Sequence, residues 1–347
     1  MNGTSQPLLQ VEDLSIGFIG DDGAVAITDK VSFRIDAGEA YGLVGESGCG
    51  KSVTCLSLLK LLPMPGGRVL SGRILFKGRD ILAMPAEELR ALRGGSVGMI
   101  FQEPGAALNP LWPIRRQLLE PFQYHAYEGD PAQRIRSLLD RVGIADPDRV
   151  LAAYPHQLSG GMLQRVMIAM ALSLNPALLI ADEPTTALDV TVQAQIMELI
   201  GDLLREYGAA VLMITHNLNL IAQYADRVAV MYAGRIVEEA RVDDFLRRPL
   251  HPYSQGLLAA LPRLDRGPEP LQPIPGQVPR PSDYAAGCRF RERCEHAFEP
   301  CGRKPDAFAA GAGHSVACFL HAPGAAVPAD RNMQVTPGGA APSGVSA

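Results

Sequence analysis

Residues 45–52 read Gly-Glu-Ser-Gly-Cys-Gly-Lys-Ser, a G-x-x-x-x-G-K-[ST] pattern between the apolar run Ala40 to Val44 and the helical run Val53 to Leu62. Glycines let such a loop curl until successive backbone N–H groups and the start of the following helix point at one anion. Gly45, Ser47, Gly48, Cys49, Gly50, Lys51, Ser52 and Val53 are therefore the candidate phosphate cradle, with Lys51 adding charge for the β- and γ-phosphates and Ser52 a hydroxyl ligand for Mg²⁺. A second segment, Leu178-Leu-Ile-Ala-Asp182-Glu183, is an apolar strand ending in two carboxylates, which places both at the carboxyl edge of a sheet. Neighbouring carboxylates can divide labour: Asp182 holds the metal through its shell, and Glu183 polarises the water that attacks the γ-phosphate.

The elements that must position these groups are legible in the alternation of β-like and helical patterns up to about residue 250, the signature of a parallel sheet flanked by helices. Ala40 to Val44, Val97 to Phe101, Ala177 to Ala181 and Ala210 to Thr215 are predicted strands. Thr191 to Tyr207 is a predicted helix: Val192, Ile196, Leu199, Ile200, Leu203 and Leu204 recur at three- and four-residue spacing, and Gly208 stands at the C-terminal cap. With 347 residues, 47% apolar and 20% charged, the chain can bury a substantial core in two units or in one larger α/β unit with an appendage. A net charge of −5 opposes a nucleic-acid partner. The best apolar run, Val166 to Leu174, is too short to span a bilayer, and the first ten residues carry no secretory signal, so a location in the cytoplasm is expected.

Composition changes near Pro262, from which seven prolines run through Pro281, so an extended connector is expected there. Four of six cysteines then follow in the spacing Cys288-x5-Cys294-x6-Cys301-x16-Cys318. In a reducing compartment such a group reads as metal binding before disulfides. The spacing matches neither zinc ribbons nor the ferredoxin run, and four thiolates suit either Zn²⁺ or a [4Fe–4S] cluster. His296 and His314 are near enough to be alternative ligands but read as surface histidines; Cys49 and Cys55 read as buried, inert thiols. From 322 to 347 the chain is mostly Ala, Gly, Pro and Ser, and a disordered tail is expected.

Leu158-Ser-Gly-Gly-Met162 opens a helical run, Leu163 to Leu174, about 20 residues before the carboxylate strand. Here the sequence resembles the ATP-binding cassette (ABC) ATPases, whose signature motif has this form and position. Met162 departs from the commoner Gln, and Leu158-Ser-Gly-Gly-Met-Leu-Gln-Arg-Val-Met-Ile-Ala-Met-Ala-Leu172 is similar to the branch that energises dipeptide and oligopeptide importers. The resemblance covers about residues 8–321 and implies an α/β P-loop NTPase fold. Its parts are an ATPase domain over 8–250 with an antiparallel β subdomain and a helical signature subdomain at about 106–164, then a Cys-rich extension over 251–321. Ser159, Gly160 and Gly161 form a second anion-binding helix start that one chain cannot fold onto its own phosphate loop, so two chains meet head to tail and share each site.

The resemblance also implies roles for single positions. Gln102 matches the Q-loop glutamine that touches metal or water, so Ser52, Gln102 and Asp182 become the Mg²⁺ set. His216 matches the switch histidine, Asp189 the D-loop, and Phe18 the aromatic that stacks on adenine. Asn109-Pro110-Leu111-Trp112 lies where the family's helical subdomain receives its membrane partner; Trp112 either lines a docking groove or fills a small helical core. His251-Pro252-Tyr253 precedes the family's C-terminal extension, some of whose members hold a [4Fe–4S] cluster, and that favours iron–sulfur over zinc at Cys288, Cys294, Cys301 and Cys318. The implied function is ATP hydrolysis driving import of dipeptides or oligopeptides, from the cytoplasmic face of the inner membrane. The implied partners are a related but different cassette chain, two integral membrane permease subunits and an extracytoplasmic solute-binding protein. Import of nickel or another solute is the first alternative. A soluble ABC ATPase acting on ribosomes or nucleic acid is the second, opposed by the single cassette and the acidic net charge.

Overall fold

The computed structural model describes residues 6–20, 23–185, 190–261 and 273–324. Asp189, the connector's first part (262–272) and the expected tail from 325 onward lie outside the described residues.

Three strands open the chain, β1 (Leu9–Gly20), β2 (Gly23–Ala26) and β3 (Val31–Ile35). Then β4 (Ala40–Val44) leads through the glycine loop into α1 (Lys51–Leu58), and β5 (Gly67–Phe76) and β6 (Arg79–Asp80) return to the first sheet. That sheet is antiparallel, ordered β2-β1-β5-β6 with β3 also on β1. The alternating burial of β3 shows one face packed and one exposed, as an antiparallel sheet allows.

After α2 (Ala86–Leu92), β7 (Val97–Ile100) enters the main sheet, and the chain leaves it for a helical group: α3 (Pro104–Ala107), α4 (Ile114–Tyr124), α5 (Pro131–Arg141), α6 (Pro147–Ala152) and α7 (Gly160–Ala171). Asp130 and Asp146 accept N–H bonds at the starts of α5 and α6, and a proline fills the first helical position of each, so both starts are encoded locally. The chain returns through β8 (Leu178–Asp182), α8 (Val190–Tyr207), β9 (Ala210–Thr215), α9 (Leu218–Tyr224), β10 (Arg227–Tyr232) and β11 (Arg235–Arg241). It continues with α10 (Val242–Arg247), α11 (Pro252–Ala259), β12 (Phe308–Gly311) and β13 (His314–Val316).

The main sheet runs β12-β13-β11-β10-β4-β9-β8-β7, with β10, β4, β9, β8 and β7 parallel. Every residue of β8 and β9 is buried, because the sheet is covered on both faces; this is why these strands read as unbroken apolar runs. One core, including Leu43, Ile180, Leu212 and Ile214, lies toward the antiparallel sheet. The other, including Leu179, Val211, Met213, Ile196 and Ile200, lies toward the helices.

The strands at 40–44 and 210–215 have the expected bounds; β7 ends one residue early, and β8 is shifted by one residue at both ends. The signature helix starts at Gly160, three residues before the apolar run, because Ser159 caps it and glycine needs no apolar partner to be helical. Trp112 is half-buried with the Arg116 guanidinium stacked 3.5 Å from its ring, while the neighbouring Leu111 is 81% exposed. The expected surface position of His314 is corrected: it packs under β11 with Nε2 2.8 Å from the buried Glu238 carboxylate.

Glu238 organises the junction with the C-terminal segment. It accepts N–H bonds from Leu250 and His251, each at 2.8 Å. Burial works against its charge, but His314 together with these two N–H donors holds its pKa below the usual value. His251 caps α11, its Nδ1 accepting from Tyr253 N–H at 3.0 Å, which requires that nitrogen to be unprotonated. Burial holds its pKa down at about 4 against an ordinary 6.5, the Glu238 charge opposing only in part. An unfolded chain therefore takes up a proton between those two values that the folded chain refuses. The stabilisation is complete above 6.5 and is lost as pH falls toward 4, in all by roughly 3 kcal/mol. His251→Asn keeps a capping side chain and removes the titration, so urea unfolding across this window should be flatter for the variant; parallel losses would contradict the assignment.

Candidate active site

Register decides the site. Val44 pairs with Thr215, and Ile214 pairs with Asp182, so β4, β9 and β8 end at one level and discharge their loops on the same edge. On that edge the loop after β4 curls tightly. At Gly45 a Cβ would stand 2.1 Å from the Met231 carbonyl oxygen, and Gly50, the N-cap of α1, has φ +108°, which side chains rarely adopt. Gly234 N–H donates to the Cys49 carbonyl and Asp29 N–H to the Gly234 carbonyl, tying the loop to β10 and the antiparallel sheet.

Lys51 is buried, and its ammonium donates to the carbonyls of Gly45 at 2.8 Å and Glu46 at 3.1 Å. The charge thus sits inside the curl rather than in solvent. Ser52 Oγ donates to Asp182 Oδ1 at 3.1 Å, joining the loop to the end of β8. Burial raises the Asp182 pKa, the Ser52 bond opposes this, and the neighbouring Glu183 charge adds to it. A hydroxyl and a buried carboxylate so placed are a hard oxygen pair of the kind Mg²⁺ takes.

Glu183 follows with left-handed backbone, φ +45°, a conformation that costs a non-glycine residue roughly 1–2 kcal/mol. Its N–H is satisfied by the Ile214 carbonyl at 2.9 Å, which fixes the turn. The turn aims the carboxylate between two residues the sequence had singled out. Gln102 Nε2 donates to Glu183 Oε2 at 3.3 Å, and His216 Nδ1 lies 3.5 Å from the same oxygen. His216 is held at the end of β9 by its neighbours: Asn217 N–H donates to Thr215 Oγ1, and the Asn217 side chain caps α9. The arrangement offers a partly buried carboxylate beside an amide and an imidazole, next to a cationic glycine loop and a metal-type oxygen pair. Such an arrangement is suited to binding a phosphoanhydride and activating water.

The remaining predicted residues stand elsewhere. Ser159 and Gly160 are exposed at the start of α7, Ser159 Oγ accepting from Met162 N–H at 3.4 Å. Phe18 lies half-buried on β1, opposite Val25 of β2 and Gly67 of β5. Cys49 and Cys55 are fully buried, with pKa values raised by burial, as inert thiols should be.

The four C-terminal cysteines line one small apolar cavity of about 10 Å³ with His251, His296, Phe290, Phe298 and Phe319, and none is in a disulfide. As the thiols are placed, no three His, Cys, Asp or Glu side chains among the described residues form a metal-binding group.

Sequence reasoning missed the contacts of Glu46. Arg293 forms a two-pronged ion pair with it, Nη1 to Oε2 at 2.6 Å and Nη2 to Oε1 at 3.0 Å. Glu46 occupies a variable position of the loop pattern and Arg293 is 247 residues away, so no spacing rule could have joined them.

Residues 28–186 match the family model for the ABC transporter, and residues 237–301 match that for the oligopeptide/dipeptide transporter, C-terminal region. A probable peptide ABC transporter ATP-binding protein of Sinorhizobium fredii is 46% identical, covering 92% of this chain and 96% of that protein. This chain belongs to the ATP-binding proteins of the oligopeptide/dipeptide ABC transporter family. The oligopeptide transport ATP-binding protein OppD of Salmonella typhimurium is 46% identical over 90% of this ABC ATPase and 93% of its own length. The dipeptide transport ATP-binding protein DppD of Bacillus subtilis is 45% identical over 91% and 95%. Among solved structures, the dimeric ATP-binding cassette MJ0796 bound to ADP and Pi superposes with a TM-score of 0.60 at 26% identity, covering 67% of this chain and 98% of that one.

Replacing Lys51 removes a buried charge from the centre of the loop, and a charge-assisted hydrogen bond is worth about 1.5–3 kcal/mol. Lys51→Ala should therefore weaken ATP binding about ten- to hundredfold in a fluorescent-nucleotide titration. Unchanged affinity would contradict the assignment of the loop.

Proposed function

We propose that this chain hydrolyses ATP to power import of dipeptides or oligopeptides, working at the cytoplasmic face of the cell membrane. The observation that carries the reading is an ATP-type site on the same chain as a match to the oligopeptide/dipeptide transporter C-terminal region. No helix among the described residues is long and apolar enough to cross a membrane, so translocation requires membrane-embedded partners. Two permease subunits and an extracytoplasmic solute-binding protein complete the proposed assembly.

In this reading Lys51 and the backbone of residues 45–53 hold the triphosphate. Ser52 and Asp182, with Gln102, would hold Mg²⁺, whose contribution when bound is to neutralise charge on the β- and γ-phosphate oxygens. Glu183 accepts a proton from water as its oxygen bonds to the γ-phosphorus, and the bond from that phosphorus to the bridging oxygen breaks, leaving ADP with the electron pair. Gln102 and His216 orient the Glu183 carboxylate and the water from either side. Phe18 stacks on the adenine. Ser159, Gly160 and Gly161 close on the γ-phosphate held by a second, related cassette chain, and Asp189 reaches across the same interface. The exposure of residues 159 and 160 at a capped helix start supports this head-to-tail pairing.

The four cysteines would hold a [4Fe–4S] cluster in a C-terminal unit spanning 251–321. What favours it is that four thiols line one apolar cavity, although as placed no three of them form a metal-binding group among the described residues, so loading would have to draw them together. Burial pushes Cys294 up to about 11 and Cys318 up to about 12, so these two thiols are neutral near pH 7 and would have to give up their protons to hold a metal.

Glu183→Gln should retain ATP binding and lose at least about a hundredfold in turnover, the usual scale for removing a general base, measured as phosphate release. Undiminished hydrolysis would eliminate Glu183 as the base. Anaerobically purified protein should show a broad visible absorption from sulfur-to-iron charge transfer, with iron and sulfide in equal amounts and loss of both in Cys301→Ser. Zinc by elemental analysis would replace the cluster with a zinc site, and protein free of metal would remove the site altogether.

A further inference from the structure

Glu46 is held on three sides. Both carboxylate oxygens are taken by the Arg293 fork, at 2.6 and 3.0 Å. Its N–H donates to Tyr253 Oη at 2.9 Å, and its carbonyl accepts from Lys51 Nζ at 3.1 Å. Two of the three grips therefore come from the segment after residue 250.

Neither gripping side chain is free to swing. The Arg293 side chain is 6% exposed, and its remaining donors bond the Pro275 carbonyl at 2.8 Å and the Ile274 carbonyl at 3.3 Å. Its Nη1 also reaches Tyr232 Oη at 3.4 Å. The Tyr253 ring is fully buried, packed 4.7 Å from the Tyr232 ring and 5.4 Å from that of Phe290. A two-pronged carboxylate–guanidinium pair fixes orientation as well as distance. Because the Glu46 carbonyl is also a Lys51 acceptor, any shift of residue 46 moves the cation meant for the phosphates.

We propose that Tyr253 and Arg293 are positioning residues for ATP: by gripping Glu46 they preset the phosphate loop, so that the C-terminal segment sets nucleotide affinity within its own chain. The inference rests on residues 45–52 being the phosphate cradle. A purely structural tether would use the same contacts to anchor the C-terminal segment; it would change the melting temperature on removal and leave nucleotide parameters alone.

The test uses the full-length chain and four variants: Arg293→Gln, Arg293→Lys, Tyr253→Phe and the exchange Glu46→Arg with Arg293→Glu. Kd for a fluorescent ATP analogue, kcat, KM and melting temperature are measured for each, beside Lys51→Ala. Tyr253→Phe keeps the ring in place and removes only the acceptor of the Glu46 N–H, so it guards against failure of Arg293→Gln to fold. Arg293→Gln and Tyr253→Phe should each raise Kd and KM for ATP about fivefold, with KM rising by a larger factor than kcat falls. Arg293→Lys, which keeps the charge but not the fork, should be intermediate, and the exchange should recover Kd to within about twofold of the parent. ATP affinity within twofold of the parent in both Arg293→Gln and Tyr253→Phe would overturn the proposal, whatever happens to the melting temperature. If Lys51→Ala also bound ATP normally, it is the phosphate-loop assignment that would fall; loss in Lys51→Ala alone would reject only the grip.

Discussion

The bond from Ser52 Oγ to Asp182 Oδ1 closes the distance between two segments 130 residues apart, and the rest of the site hangs on the sheet register that allows it. In the main sheet Val44 stands beside Thr215, Ile214 beside Asp182, and Ala181 beside Ile100. Four neighbouring parallel strands therefore end almost level, and the turns that follow them carry the glycine loop, His216, Glu183 and Gln102 to one rim. Slipping β8 by a single residue would turn Asp182 to the opposite face, because side chains alternate with period two. Since β8 and β9 are buried on both faces, it is the fit of particular side chains in the two cores, rather than an apolar–polar alternation, that opposes such a slip, so those cores also align the carboxylates.

Burial gives the site its electrostatic character. Asp182 is 5% exposed and Lys51 4%, and removing both charges from water is costly unless each finds partners. The structure supplies them unevenly. Lys51 has two loop carbonyls, while Asp182 has the Ser52 hydroxyl, which does not offset its burial and the added repulsion of Glu183, so its pKa stays raised. A carboxylate held above its ordinary pKa beside a hydroxyl gains more than an exposed one from a divalent cation. The strained turn at Glu183 belongs to the same economy: left-handed backbone is tolerated where the chain must deliver a carboxylate to the rim immediately after a buried strand.

Much of this was legible in residue order. Strands buried on both faces announce themselves as apolar runs, and the ends of Ala40–Val44 and Ala210–Thr215 fall where a glycine and a histidine break those runs. Glu183 could be named because it ends an apolar strand in a carboxylate pair, and Gln102 and His216 because their places after strands match the family resemblance, although only the structure shows that they share one carboxylate oxygen. What sequence withheld depends on pairings too distant for any local rule. His314 reads as a surface histidine until β13 joins β11 and places it over Glu238. Glu46 reads as filler in the glycine pattern until Arg293 arrives from the far end of the chain. The cysteine spacing matched no standard motif because the four thiols approach their cavity from separate short turns rather than from one loop or hairpin.

The attachment of the C-terminal segment bears on how it can act. β12 and β13 extend the main sheet through β11, and β11 is the antiparallel neighbour of β10, whose own parallel partner β4 ends at the glycine loop. Arg235, at the start of β11, donates to the Gly287 carbonyl at 2.7 Å and pairs with Asp29, so the turn leading to Cys288 is bonded to both sheets. Phe290 packs edge-on to Tyr232, the last residue of β10. A segment built into a sheet at one end and onto the phosphate loop at the other cannot move as a loose appendage; displacing it must disturb Tyr232, Arg293 and Glu46 together. Linkage makes the proposed grip work in both directions. Whatever free energy Tyr253 and Arg293 contribute to ATP binding, ATP returns to the packing of the segment that carries them. Metal at the four cysteines, where present, would stiffen the turn holding Arg293, since Cys294 is the next residue. Metal and nucleotide would then favour the same arrangement of residues 46, 253 and 293, although neither touches the other.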